Sequence, residues 1–215
     1  MPLEGPEILP VDPASPDHEM IRKAAGLLKR GGLVVFPTTT FYGIGAQAFD
    51  SDAVERVFHV KGRDEHKPLL VLIACLADLA LLVRTVPRIA TRLIDALWPG
   101  GVTLVFDAAD GVPSNLTGYT GKIGVRLANH PVAAALVKAV ASPVTGTSAN
   151  LSGEGGCTAV ANLNRRIKDQ VGLVLDSGEL QGNKGSTVVD VTVSPPKILR
   201  EGVINTERIR ALFEA

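Results

Sequence analysis

The stretch "SPDHEMIRKAAGLLKRGGLVVF", residues 15–36, sets a helical pattern directly against a strand pattern. Ser15 is placed to cap a helix, Pro16 suits its first position, and Ile21, Ala24, Ala25 and Leu28 form one apolar stripe that Gly31 ends. Leu33–Phe36 then runs wholly apolar between Gly32 and Pro37, as a short buried strand does. The succession repeats outward. Helical spacing recurs over 51–63, where Gly62 is the stop, and over 75–83, 87–98, 131–141, 158–169 and 205–214. Strand-like runs occupy 69–74, 102–107, 122–127, 172–176, 186–192 and 197–200. Strands alternating with helices imply one α/β domain around a mixed, largely buried sheet. The domain is read as residues 15–213, preceded by a loose Pro-rich N-terminal extension, residues 1–14.

The 215 residues are 46% hydrophobic, with 22 Lys plus Arg against 22 Asp plus Glu and a formal net charge of zero. Sequence-independent nucleic-acid binding draws its affinity from a basic excess, so this balance argues against it. Cys75 and Cys157 stand apart with no ligand spacing, which excludes a disulfide framework and a structural zinc site. The N-terminus lacks the basic start and apolar stretch of a signal peptide, and Asp78 interrupts the longest apolar run. A cytoplasmic protein without a membrane segment is the expectation.

Nucleotide fingerprints fail. "GNKGST" (182–187) has the P-loop's letters in the wrong order, and no G-x-G-x-x-G follows a strand. His18, His59, His66 and His130 form no ligand pair, and no G-x-S-x-G elbow supports a nucleophilic serine. What remains lies in polar loops at element ends, where open α/β sheets gather their sites. "PTTTFYGIG" (37–45) and "TGTSANLSG" (145–153) both leave strands, the second with small residues whose amides suit an oxyanion. Ordinary loop and cap roles explain either one alone. "KGRDEHKPLL" (61–70) concentrates Lys61, Arg63 and Lys67 at a helix end, where a solvated charge cluster is the plain alternative. Arg126 ends the apolar run "IGVRL" and must find a partner or a cleft, and Arg200 after "KIL" poses the same question.

Taken in order, "PTTTFYGIG", "KGRDEHKPL", "WPGGVTLVF", "VRLANHP", "SANLSG", "STVVD" and "LREG" resemble the YrdC-like family, the threonylcarbamoyl-AMP synthases. The resemblance spans nearly the whole chain. It implies a twisted, mixed, open α/β sheet around a deep concave basic cleft. The longer members' extra C-terminal domain is not expected in this chain. The implied reaction condenses L-threonine, bicarbonate and ATP into threonylcarbamoyl-adenylate with release of diphosphate. A separate transferase complex then modifies tRNA. Adenylation accumulates negative charge, which calls for a cation clamp and Mg²⁺.

By the same resemblance, Lys61 and Arg63 match a phosphate-binding pair that carries catalysis. Thr38, Lys67, Arg126, Ser148 and Ser186 match positions around threonine, with the Arg126 guanidinium suited to its carboxylate. Thr117, Asn150, Ser152 and Arg200, with Lys61 and Arg63, match contacts to ATP. No residue resembles a protein metal ligand or a dedicated nucleophile, so catalysis is positioning and charge stabilisation. Thr39 stands where most relatives carry glutamate. Two rivals share the resemblance. The carbamoyl-adenylate domain of hydrogenase maturation belongs with cysteine-rich zinc segments that this chain lacks. A non-catalytic RNA-binding relative fits poorly with the retained Ser148, Ala149 and Asn150.

Overall fold

The computed structural model describes residues 5–182 and 184–214. Residues 1–4 of the N-terminal extension and Asn183 of the 182–187 segment lie outside the described residues.

The extension is not wholly loose. Glu7–Pro10 forms β1, which pairs in parallel with β9 (Leu173–Asp176) at a sheet edge, where a strand ending in proline is tolerated. Helix α1 is His18–Lys29, and Asp17 rather than Ser15 caps it: the carboxylate accepts the Glu19 and Met20 amides. Pro16 therefore precedes the helix. The chain continues through β2 (Val34–Pro37) and turns back as β3 (Tyr42–Gly45), a buried strand inside the segment that reads from sequence as a loop. Helix α2 (Ser51–Lys61) starts on the Asp50 cap and stops at Gly62, whose φ of 56° lies in the left-handed region that glycine adopts without strain.

Next come β4 (Leu70–Ile73), the short α3 (Leu79–Leu82), α4 (Arg88–Leu97), β5 (Val102–Asp107), β6 (Lys122–Leu127) and α5 (Pro131–Val140). Two-residue strands follow, β7 (Val144–Thr145) and β8 (Thr147–Ser148). The helix expected over 158–169 is instead a turn at Val160–Asn162 and then α6 (Arg165–Lys168), because the Asn164 side chain accepts the Arg166 amide and starts a new helix. The chain ends with β9, β10 (Thr187–Asp190), β11 (Lys197–Arg200) and α7 (Thr206–Glu214).

Two open mixed sheets result. One runs β1–β9–β2–β3–β8 and the other β11–β10–β5–β6–β4–β7. The backbone crosses between them at Gly146: Val144 and Thr145 pair with β4, while Thr147 and Ser148 pair with β3. Helices α1 and α5 cover one side, packing Ala24, Leu28, Leu136 and Val140 against Phe36 and Leu173. The larger core packs Val57, Phe58 and Leu93 against Val71, Leu104 and Val125. Among the described residues, no helix is long and apolar enough to cross a membrane.

Candidate active site

A cavity of about 570 Å³ is lined from both sheets. Its floor is the six-stranded sheet. Side chains on a strand alternate between faces, so Lys122, Gly124 and Arg126 of β6 share the face of Thr103 and Val105 on β5 and of Val188 and Asp190 on β10. Pairing sets Val105 opposite Gly124 and Thr103 beside Val188. The facing wall is the turn from Thr38 to Tyr42 together with Ser148 and Asn150. Arg63, from the loop after α2, and Arg200, from the end of β11, complete the rim.

Arg126 is the most deeply placed of these cations, 5% exposed. Its Nε finds no hydrogen-bond partner among the described residues. Burial first, and the nearby Arg200 second, lower its pKa to about 10, so it stays protonated at neutral pH. Arg63 donates to the Lys67 and Pro68 carbonyls, and Arg200 to the Ser186 carbonyl at 2.8 Å. Burial lowers both of their pKa values, and repulsion from Arg200 adds to the effect on Arg63. Among the described residues, none of the three forms an ion pair with a carboxylate. Guanidinium groups that repel one another and lack a carboxylate ion pair, Arg126 buried and Arg63 and Arg200 at the rim, make a receptor for a polyanion.

Lys61 departs from the exposed helix end that its sequence position implies. It is 2% exposed and lies behind the cavity wall. Its Nζ donates to the Ser148 carbonyl and, at 2.7 Å, to the Asn150 carbonyl, while its own carbonyl accepts the Ser152 amide. Burial, then repulsion from Arg63, lowers its pKa to about 8 against a small opposing pull from Glu154. It pins the 148–152 loop to the end of α2.

The structure thus gathers Thr38, Arg63, Arg126, Ser148, Asn150, Ser186 and Arg200 at one cavity. Lys67 and Ser152 are exposed and off its wall, and so is Thr39. Thr117 is buried, donates to the Ser114 carbonyl, and lines a separate hollow beside Tyr119. Sequence reading missed several wall residues. Thr103 bonds Ser186, the two oxygens 2.8 Å apart. Lys122 donates to Asp190 at 2.9 Å and to Thr192 at 2.6 Å. Tyr42 donates to the Gly178 carbonyl and fixes the turn after β9. Period-two alternation in "VTLVFD" and "KIGVRL" places Thr103 and Lys122 on faces shared with Val105 and Arg126, a signal available without the structure.

The Sua5_yciO_yrdC family model, described as "Telomere recombination", matches residues 26–202. A curated relative, threonylcarbamoyl-AMP synthase of Pyrococcus abyssi, is 38% identical over 193 residues, covering 90% of this chain and 57% of that protein. The threonylcarbamoyl-AMP synthase of Homo sapiens is 34% identical over 204 residues, covering 89% of this chain and 72% of that protein. The crystal structure of P. abyssi Sua5 complexed with L-threonine superposes with a TM-score of 0.91 at 36% identity, covering 95% of this chain and 60% of that one. This chain therefore spans well under two thirds of the Pyrococcus protein. With the family match running from α1 to just beyond β11, the chain belongs to the Sua5/YciO/YrdC family.

Proposed function

We propose that this protein is a threonylcarbamoyl-AMP synthase, a nucleotidyltransferase that joins L-threonine, bicarbonate and ATP. The observation that carries this reading is the buried Arg126, whose Nε has no partner among the described residues, set at one cavity with Arg63 and Arg200, none of the three in an ion pair with a carboxylate there. A carboxylate and a polyphosphate are the anions such a set would take. The relatives named for this activity, and the related protein crystallised with L-threonine, support the same substrates.

In this reading, Arg126 takes the threonine carboxylate, and Thr38, Ser148 and Ser186 surround the amino acid. Arg63, Arg200 and Asn150 meet the nucleotide. The threonine nitrogen bonds to the bicarbonate carbon, with loss of water and a proton. One oxygen of the resulting carbamate then attacks the α-phosphorus, and the bond from that phosphorus to the diphosphate oxygen breaks. The protein's part is to hold the carbamate and α-phosphate together and to offset the charge of the leaving diphosphate. Lys61 acts from behind the wall by fixing the 148–152 loop, through the Ser148 and Asn150 carbonyls and the Ser152 amide, while Thr117 stands at a separate hollow.

ATP brings its own Mg²⁺. The wall carries only Glu154 and Asp190 as acids, and among the described residues no three His, Cys, Asp or Glu side chains group to hold an ion. The residues present do not fit a protein-held metal site. Magnesium is commonly held by substrate phosphates with few protein ligands. The adenylate passes to a transferase that modifies tRNA.

Incubating the protein with ATP, threonine and labelled bicarbonate, followed by mass spectrometry, tests the proposal. Labelled threonylcarbamoyl-adenylate is the expected product. Diphosphate release that is independent of threonine and bicarbonate would overturn it.

A further inference from the structure

We infer that Thr103 is a substrate-positioning residue: with Ser186 it forms a hydroxyl pair that offers one proton, beside Arg126, to an oxygen of a carboxylate-type anion. The inference deepens the reading above and rests on it.

Thr103 is 3% exposed and Ser186 4% exposed, both on the cavity floor. Their oxygens lie 2.8 Å apart, so one of the two protons is shared between them. Arg200 donates to the Ser186 Oγ at 3.3 Å and so cannot accept the second proton. Among the described residues, neither hydroxyl has an acceptor for it. The result is the same whichever oxygen donates across the pair. If Thr103 donates, the Ser186 proton is left over; if Ser186 donates, the Thr103 proton is left over. A buried O–H without an acceptor is costly, and here the acceptor must come from the cavity.

The neighbours specify what kind of acceptor. Arg126 presents an Nε–H with no partner among the described residues, itself 95% or more out of solvent, on the adjoining strand. Gly124, two residues along β6 from Arg126 and opposite Val105, keeps the floor low beside Thr103: a Cβ there would come within 3.2 Å of the Thr103 methyl. Arg200 adds positive charge on the other side. The hydroxyl proton left over, the Arg126 Nε–H and the Arg200 guanidinium all offer donors, which suits a planar, anionic, acceptor-only group. Threonine's carboxylate and bicarbonate share that chemistry.

The test compares wild type with Thr103→Val, which keeps the shape and removes the hydroxyl, and Thr103→Ser, which restores it. L-Threonine, L-threoninol and bicarbonate are titrated by calorimetry, and steady-state constants are measured for all three substrates. If the anion is threonine's carboxylate, Thr103→Val weakens L-threonine roughly tenfold. Threoninol binding, the ATP KM and the unfolding midpoint then stay close to wild type, and Thr103→Ser recovers most of the loss. If the anion is bicarbonate, the tenfold rise appears in the bicarbonate KM alone, again with serine rescue. Either pattern supports the pair as an oxyanion donor. Equal threonine and bicarbonate constants in Thr103→Val overturn it, as does a loss spread over every ligand that serine does not rescue. Wild-type protein that binds neither threonine nor bicarbonate overturns the functional reading first, and this inference with it.

Discussion

Arg126 and Lys122 stand on the same face of β6, roughly 13 Å apart along the strand, yet they are treated in opposite ways. Lys122 is a finished structure: its ammonium reaches Asp190 and Thr192, and Thr192 returns its amide and hydroxyl to Asp190. Burial pushes the Asp190 carboxyl up, but the hydrogen bonds from Thr192 and Lys122 outweigh it and leave the pKa below the usual carboxylate value. Arg126 is more deeply buried, has no carboxylate partner among the described residues, and faces Arg200 instead. Paired charge here braces the sheet, and in the proposed function the unpaired charge takes the ligand. The contrast is testable because the two kinds of cation should fail differently when neutralised.

The largest effect is expected at Arg126. Arg126→Met should weaken L-threonine about a hundredfold, the loss of more than one charge-assisted hydrogen bond. Folding stability should stay within about 1 kcal/mol of wild type or rise, because removing an unpartnered buried charge relieves its desolvation. Calorimetry and urea denaturation check the two halves. A strongly destabilised variant that still binds threonine would mean that Arg126 is structural and the contrast false.

Lys61 lies between the two classes, a buried cation whose partners are carbonyls. Lys61→Met leaves the Ser148 and Asn150 carbonyls without their donor and should lower stability by roughly 1–3 kcal/mol. The exposed helix end read from sequence would give only about half a kcal/mol. The pH dependence follows from the sign of its shift. A folded-state pKa of about 8, below the unfolded 10.5, means that holding the charge is unfavourable below pH 8 and is relieved as pH rises from about 8 to 10.5. A neutral amine keeps N–H donors for both carbonyls. The stability gap between wild type and Lys61→Met should therefore widen across that window, as chemical denaturation at several pH values will show. A gap that is constant with pH would place Lys61 in solvent.

Lys122→Met should cost less, roughly 1–2 kcal/mol, since Asp190 keeps both bonds from Thr192. Because the folded pKa of Asp190 is depressed, its contribution is present above 3.8 and is lost as pH falls through the folded value. Without Lys122 that loss should begin at a higher pH. Threonine affinity should change little, which is the converse of Arg126→Met.

The parts of this arrangement that were legible in sequence are those with enough residues to show a period. β5 and β6 fall where "VTLVFD" and "KIGVRL" place them, and Arg126 stands out there as a charge within an apolar run. β7 and β8 are two residues each, too short for any period, and their pairing is set by distant β4 and β3. β3 hides behind its glycines. Gly45 sits where a Cβ would come within 2.8 Å of the Phe36 ring, so close packing selects a residue that weakens the strand signal. Lys61 shows the limit most clearly. Its place at a helix end is local and readable, but the carbonyls that bury it lie almost ninety positions later in the chain.

Thr39 is where the smallest effect is expected, although it is the sharpest departure from the family pattern in sequence. Thr38 and Thr40 line the cavity, but Thr39 between them is exposed and does not. A carboxylate introduced there would sit in water, where screening weakens its reach toward Arg63 or Arg126. Thr39→Glu should therefore leave adenylate formation and its Mg²⁺ half-saturation within about twofold of wild type, and stability within about half a kcal/mol. Titrating product formation against Mg²⁺ in both forms decides the matter. A tenfold shift would require the new carboxylate to reach the ligand, and hence the turn from Thr38 to Phe41 to close inward when substrates bind. The hydrogen bond from the Thr38 hydroxyl to the Phe41 carbonyl holds that turn at present, so such a closure would have to break it. Arg126 would then owe its unpaired state to an open wall rather than to a preformed receptor, and its contrast with Lys122 would be one between two conformations.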